Sequence, residues 1–145
     1  MAMNENLSDV LGSPRGEKRR SLKGTLHPLH EAAMRIADIG LRHLQTVIEP
    51  GVTELDMWAE LVHAMGRAGG EHAALHECVV VGNMSVGHRV STRRRIREGD
   101  FVLADPSGVV HRYHANTSRT LYVGDEPPAE AVRLHEIAAG AFEGL

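Results

Sequence analysis

The chain has 145 residues, a length typical of one domain, and its 42% hydrophobic and 24% charged content is ordinary for a globular protein. A formal net charge of −3 gives no overall attraction to nucleic acid or membranes, so we expect neither as a partner. The single cysteine, Cys78, excludes an intrachain disulfide and fits a reduced, cytoplasmic setting. The sequence has neither a signal-like apolar run nor the ~20 apolar residues of a membrane span.

The first segment in chain order, residues 1–26, has the composition of a disordered basic tail. It contains few apolar residues and one basic cluster, made of Arg15, Lys18, Arg19, Arg20 and Lys23. Segments of this kind rarely fold alone, because they cannot bury enough apolar surface. Basic runs are common and unspecific, so we interpret the cluster as solvated. The folded domain is then predicted to cover residues 27–145.

Two helices are predicted next. From Pro28 to Ile48, apolar residues recur every three or four positions and form one helix face: Met34, Ala37, Leu41, Leu44 and Ile48. Pro50 and Gly51 end this helix, because proline disfavours helix at the residue before it. Thr53 is the predicted N-cap of the second helix, which Gly69-Gly70 ends. Its predicted apolar stripe is Leu55, Trp58, Val62 and Met65.

The sequence then changes from helical to extended patterns. Strands are predicted at residues 78–81, at residues 101–104 and within residues 113–123, with a turn at Gly82-Asn83 after the first. Pro127-Pro128 opens a last helix, whose candidate inward positions are Val132, Ile137 and Ala141. Helices followed by strands and a further helix indicate an α+β layer structure, because the alternation of a parallel sheet is absent.

Asp105 and Asn116 are the pair of polar residues that most strongly suggests a site. In a hairpin whose turn centres on Val110-His111, the two residues face each other directly, with Cβ atoms ~4.5–5.5 Å apart. Two oxygen-bearing side chains would then converge on one point, as a hard divalent cation requires. A turn at residues 106–108, Pro-Ser-Gly, is the alternative and would break this register. On the residues alone, both interpretations stay open.

Several short motifs occur in an order and spacing that resemble the creatinase/methionine aminopeptidase, or pita-bread, superfamily. They are Pro50-Gly51-Val52-Thr53-Glu54, Gly82-Asn83, His88, Gly99-Asp100, Asp105, Tyr113, Asn116, Arg119-Thr120 and Gly124. The resemblance runs from about Leu29 to the C-terminus and favours the Xaa-Pro peptidase/creatinase-like branch. It implies the first half of a pita-bread catalytic domain, with an α+β fold, an antiparallel-rich sheet and helices packed on one face.

The resemblance also implies roles for particular residues. Asp105 takes the first metal-ligand position, whereas Asn116 stands where the family's metallopeptidases have a second aspartate. His88 takes the position that lies near the substrate and helps to stabilise the transition state. Independently of the resemblance, His114 and Tyr113 are candidate substrate-binding residues, because they lie near this pair in the sequence and His114 should share a strand face with Asn116. The implied cofactor is a divalent metal, Mn, Co or Zn, or none at all, because an amide replaces a carboxylate and the family's later ligands are absent.

The expected activity is hydrolysis of a C–N bond in a peptide or small amide, by a Xaa-Pro peptidase/creatinase-like hydrolase that is truncated and inactive alone. Two alternatives stay open: a non-catalytic fragment or interaction module, and a metal-independent creatinase-like hydrolase or lyase. A half-domain would expose apolar surface, so we expect a homo-oligomer or pairing with a complementary half. Ser118 has no evident histidine and aspartate partners, so a serine nucleophile is not predicted.

Overall fold

The computed structural model describes residues 28–72, 76–81 and 89–143. Its elements are, in chain order, helix α1 (Pro28–Val47), helix α2 (Glu54–Arg67), strands β1 (His76–Val81), β2 (Phe101–Val110), β3 (Tyr113–Asn116) and β4 (Arg119–Tyr122), and helix α3 (Ala129–Glu143). The predicted tail, the Gly82-Asn83 turn and His88 lie outside the described residues. Within the described ranges, no helix is both long enough and apolar enough to cross a membrane.

The four strands form one antiparallel sheet with β2 in its centre. Strand β1 pairs with the first part of β2, while β3 and β4 lie along its other edge. The β2–β3 and β2–β4 ladders keep the same register, since the pairs Val110↔Tyr113 and Phe101↔Tyr122 are separated by the same number of residues on each side of the ladder. Strands β3 and β4 therefore act as one partner strand of β2 with a short interruption.

Pro106 explains the interruption between β3 and β4. The backbone N–H of Thr117 donates to the Pro106 carbonyl at 3.2 Å, but proline has no N–H to complete the reciprocal bond. The predicted second strand was too short, because the Pro-Ser-Gly sequence at 106–108 lies inside β2 rather than in a turn. Proline is tolerated in this central strand because the defect is confined to one missing ladder bond.

Helices α1 and α2 pack on one face of the sheet, as predicted. The residues of β2 that point toward them are all buried: Val102, Ala104, Pro106, Gly108 and Val110. Gly108 marks the closest approach, since a Cβ atom there would lie 1.8 Å from the backbone oxygen of Ala33 in α1. A side chain at this position would hold the helix away from the strand, so glycine sets the distance between the two layers.

The predicted ends of α1 and α2 are confirmed, but the predicted buried faces are only partly right. In α1, Met34 is 41% exposed, whereas Ile36 is fully buried. In α2, the buried stripe is Met57, Leu61 and Met65, with Glu54 beside it. Of the predicted stripe only Met65 is buried, since Leu55 and Trp58 are exposed. Both stripes have helical spacing, and contact with α1 at Gly40 selects the one that is buried.

The N-cap prediction at Thr53 is confirmed. The Thr53 hydroxyl oxygen accepts the backbone N–H of Asp56 at 3.1 Å, and the Asp56 carboxylate accepts the backbone N–H of Thr53 at 3.0 Å. This reciprocal pair is a capping box, which satisfies donors that the first helical turn leaves unpaired.

Helix α3 exists as predicted, but its predicted inward positions are wrong. Val132 is 40% exposed and Ile137 is 56% exposed, and Ala141 is exposed as well. Leu134, on the same helix, is 54% exposed. The helix makes no extensive contact with the other described elements, so its apolar residues pack against no layer formed by the described residues.

Candidate functional site

The β2–β3 hairpin turns at His111 and Arg112, one residue later than predicted. Both residues have positive φ angles, 48° and 63°, a backbone conformation that is costly for residues other than glycine. The Glu71 carboxylate accepts both backbone N–H groups of the turn, at 2.5 Å from His111 and 3.3 Å from Arg112. The Arg112 guanidinium in turn donates to the backbone oxygen of His72 at 3.1 Å. These contacts offset the cost of the turn and fix the register of the hairpin.

The direct pairing of Asp105 with Asn116, which required a turn centred on Val110-His111, is therefore not observed, and the alternative turn at residues 106–108 is not observed either. Asn116 lies opposite Ser107 in the ladder, while Asp105 lies two residues before Ser107 in β2. The predicted turn would have placed Val110 at a turn position, yet Val110 is buried in the core at 3% exposure. Burial of that side chain keeps it in the strand and moves the turn to the next two residues.

Asp105 and Asn116 nevertheless lie on the same face of the sheet. Paired residues share a face, and residues two apart along a strand share it too. This face, which we call the open face, points away from α1 and α2. At its polar end it carries Asp105, Ser107, His114, Asn116 and Ser118. Asp105 and Asn116 are diagonal neighbours there, a relation that places Cα atoms ~7–8 Å apart.

Two serines hold the candidate pair in position. The Ser118 hydroxyl donates to Oδ1 of Asp105 at 2.5 Å. The side-chain nitrogen of Asn116 donates to Oγ of Ser107 at 3.2 Å, with a longer contact of 3.5 Å to the Pro106 carbonyl. Because the amide nitrogen faces two acceptors, its orientation is fixed. The two side-chain oxygens that no hydrogen bond of this network engages are Oδ2 of Asp105 and Oδ1 of Asn116.

The predicted substrate-binding residues separate onto the two sides of the sheet. His114 is exposed on the open face, two residues from Asn116. Tyr113 lies on the helix side, where its ring meets the His30 ring of α1 edge-on at a centroid distance of 5.2 Å. The structure therefore does not bring Tyr113 to Asp105 and Asn116. The alternation of a strand accounts for this, since neighbouring residues point in opposite directions.

The donors on the open face include oxygen atoms suited to a hard cation, but they are few. Within residues 28–72, 76–81 and 89–143, no group of three or more histidine, cysteine, aspartate or glutamate side chains could hold a metal ion. Asp105 supplies one charged oxygen beyond its contact with Ser118, and Asn116 supplies one neutral oxygen. This donor set does not fit a pair of divalent cations bridged by two carboxylates.

Sequence reasoning missed Ser107 and Ser118 as members of the site. Ser118 was considered only as a nucleophile, and Ser107 only as part of a turn. A correct turn position would have revealed both, because the ladder then places Ser107 opposite Asn116 and brings residue 118 opposite Asp105. A cavity of about 300 Å³ among the described residues lies elsewhere, beside Trp58 and His72.

A family model described as metallopeptidase family M24 matches residues 28–144. An uncharacterized peptidase of Bacillus subtilis is 30% identical over 128 residues, which are 86% of this chain and 36% of that protein. A Xaa-Pro dipeptidase of Pyrococcus furiosus is 29% identical over 112 residues, 77% of this chain and 32% of the relative. The chain thus spans about a third of the length of the curated relatives that it matches.

Solved structures resemble the fold over a similar extent. The prolidase of P. furiosus matches with a TM-score of 0.71 and 26% identity, covering 78% of this chain and 34% of that one. The prolidase of Pyrococcus horikoshii matches with a TM-score of 0.73 and 26% identity, and the match covers 80% of this chain and 33% of the prolidase chain. The observed fold is accordingly an α+β half of the pita-bread architecture, as the motifs indicated.

Proposed function

The chain belongs to metallopeptidase family M24, and we propose that the protein that carries it hydrolyses the C–N bond of a peptide or small amide, with Xaa-Pro dipeptides as the first substrates to test. The observation that carries the proposal is the network on the open face, where a carboxylate and an amide are diagonal neighbours and each is held by a serine. Both the family and the P. furiosus relative, a Xaa-Pro dipeptidase, support this class of reaction.

Asp105 is the group best suited to act on water. Its Oδ1 atom accepts the Ser118 hydroxyl, which holds the carboxylate plane and leaves Oδ2 directed elsewhere. A carboxylate fixed in this way can orient a water molecule and accept its proton as the water attacks a carbonyl carbon. Asn116 contributes an acceptor oxygen that can bind an N–H group of the substrate. In this proposal His114 contacts the substrate, and His88 orients it from the segment outside the described residues.

The test uses the natural polypeptide that contains this sequence, assayed for proline release from Ala-Pro and related dipeptides. We expect Asp105→Asn to lower kcat/KM by ~100-fold or more, the usual scale for a group that transfers a proton. Asp125→Asn is the matched control, because it makes the same carboxylate-to-amide change at an exposed position after β4. Equal activity of the Asp105 variant and the control, or no cleavage of any dipeptide by the unaltered protein, would reject the proposal.

A second candidate is a metal-independent hydrolase or lyase of the creatinase type, and Asn116 is the observation that favours it. A neutral amide cannot supply the charge of the aspartate that it replaces. The discriminating measurement is turnover after exhaustive treatment with a chelator, with small amides and guanidino compounds added to the substrate set. Activity that survives the chelator supports this candidate, whereas full loss that returns on adding Mn²⁺ opposes it.

A further inference from the structure

The donor set of the open face differs from what a two-metal hydrolase needs, and we infer that this chain does not hold a carboxylate-bridged pair of divalent cations. The Asp105–Asn116 pair can bind one cation at most. The inference concerns the site of the proposed function and rests on that proposal for its location. It separates the chain from the metal chemistry that the family name suggests.

The first step is charge. Two divalent cations repel each other about four times as strongly as two unit charges at the same distance, so anionic ligands between them must offset that repulsion. Paired cations in hydrolases lie ~3.5–4 Å apart, close enough to need bridging carboxylates. Asp105 brings one negative charge and Asn116 brings none. The pair therefore carries half the charge of the two aspartates that the resemblance places at these positions.

The second step is the number of oxygen atoms. A bridging ligand needs two oxygens, one for each cation. Asn116 has one oxygen, and its nitrogen donates to Ser107 at 3.2 Å, so the amide cannot turn to offer anything else without losing that bond. Asp105 has two oxygens, but Oδ1 accepts the Ser118 hydroxyl. An oxygen that accepts one hydrogen bond keeps a lone pair, so Asp105 can still bind one cation through both oxygens. Asn116 has a single neutral oxygen, so the pair suits one cation rather than two.

The third step is what else lies nearby. His114 shares the open face and is exposed, so a neutral imidazole could add one nitrogen donor. That addition would supply a third donor for a single ion, but it supplies no negative charge. Among the described side chains, Asp105 is the one carboxylate in the network with Ser107, Asn116 and Ser118. Nothing in that network restores the missing bridge.

The experiment measures Mn²⁺ binding to the natural polypeptide by equilibrium dialysis and electron paramagnetic resonance. We expect no more than one tightly bound Mn²⁺ per chain, without the exchange-coupled spectrum that two bridged Mn²⁺ ions produce. We expect Asn116→Asp to tighten Mn²⁺ binding by at least about tenfold, a change of the size that ligand-shell substitutions produce. Gln45→Glu, the same amide-to-carboxylate change at an exposed position in α1, should leave binding unaltered.

Two bridged Mn²⁺ ions per chain in the unaltered protein would overturn the inference. So would an Asn116→Asp variant that binds Mn²⁺ no better than Gln45→Glu, since the amide would then not be the limiting group. Circular dichroism of both variants shows whether each remains folded, and the measurement on the unaltered protein needs no variant. Dipeptide hydrolysis by a protein that binds two coupled ions would reject this inference while leaving the proposed function intact.

Discussion

Gly108 sets the spacing between helix α1 and the sheet, so replacing it tests the fold at its tightest point. The Cβ of an alanine there would lie 1.8 Å from the Ala33 carbonyl oxygen, 2.8 Å from the carbon of the same carbonyl and 3.0 Å from the backbone nitrogen of Ala37. All three are backbone atoms inside a helix, and they cannot move aside as a flexible side chain can. The helix itself must shift away from β2.

The expected cost follows from the layers that the shift would separate. Forcing one extra carbon into a packed core costs ~1–3 kcal/mol, occasionally more. A rigid displacement of α1 also loosens Ala33 and Ile36, both fully buried between the helix and its neighbours. We therefore expect Gly108→Ala to lower the free energy of unfolding by about 3 kcal/mol, the upper part of that range. For a chain of this size that loss corresponds to a fall in Tm of roughly 6–12 °C.

The assay is urea and thermal unfolding followed by circular dichroism. Gly66→Ala is the matched control, because Gly66 lies inside α2 and an added Cβ there would meet no atom within 4 Å. Alanine is the better helix former by about 1 kcal/mol, so the control should gain stability. Opposite signs for the same chemical change are the signature of the close approach. If Gly108→Ala were as stable as the unaltered chain, the close approach of α1 to β2 at Gly108 would be refuted.

Three further predictions concern other features of the structure. Glu71→Ala should destabilise the chain by about 1–3 kcal/mol in urea unfolding, because two backbone donors of the 111–112 turn lose their charged acceptor; an unchanged midpoint would contradict this. The pKa of the Asp56 carboxyl is lowered by the side-chain and backbone hydrogen bonds from Thr53, so the contribution of this carboxylate to folding stability is present above pH ~4 and lost as the pH falls further. The difference in unfolding free energy between the unaltered chain and Asp56→Asn should therefore shrink in that acidic range. A difference that stays constant from pH 7 to pH 3 would refute the linkage. Helix α3 exposes Leu134 and Ile137, so we expect concentration-dependent association in sedimentation velocity that Leu134→Lys with Ile137→Lys abolishes; association that persists in the double variant would assign the contact to another surface.

Local signals in the sequence predicted the parts of the fold that depend on neighbouring residues. Helix α1 was visible because its apolar residues repeat at helical spacing over 20 residues. The start of α2 was visible because a threonine N-cap and the acidic residues after it are close in sequence. Strand β1 was visible as a β-branched run. In each case, the residues that determine the structure lie within one or two turns of each other.

Other features depend on contacts between distant residues, and these the sequence did not disclose. The Pro-Ser-Gly stretch at 106–108 has the composition of a turn, yet it stays extended because Gly108 fits against a helix some seventy residues earlier. The buried stripe of α2 was ambiguous, since two sets of residues have helical spacing. The hairpin turn is unusual in having no glycine, and it is held by Glu71, forty residues away in the chain. No local pattern contains that information.

The error in the hairpin register shows which part of a predicted site is robust. Moving the turn by one residue changes the partner of every residue by two positions, and two positions is one full repeat of a strand. Asp105 and Asn116 therefore stay on one face while losing their direct contact, and each gains a serine instead. The face of a site follows from alternation alone, which the sequence displays. The partners of its atoms follow from the turn, which Val110 and Glu71 decide through the tertiary fold. For this chain the difference matters chemically, because Asp105 and Asn116 each lie opposite a serine and no longer face each other directly.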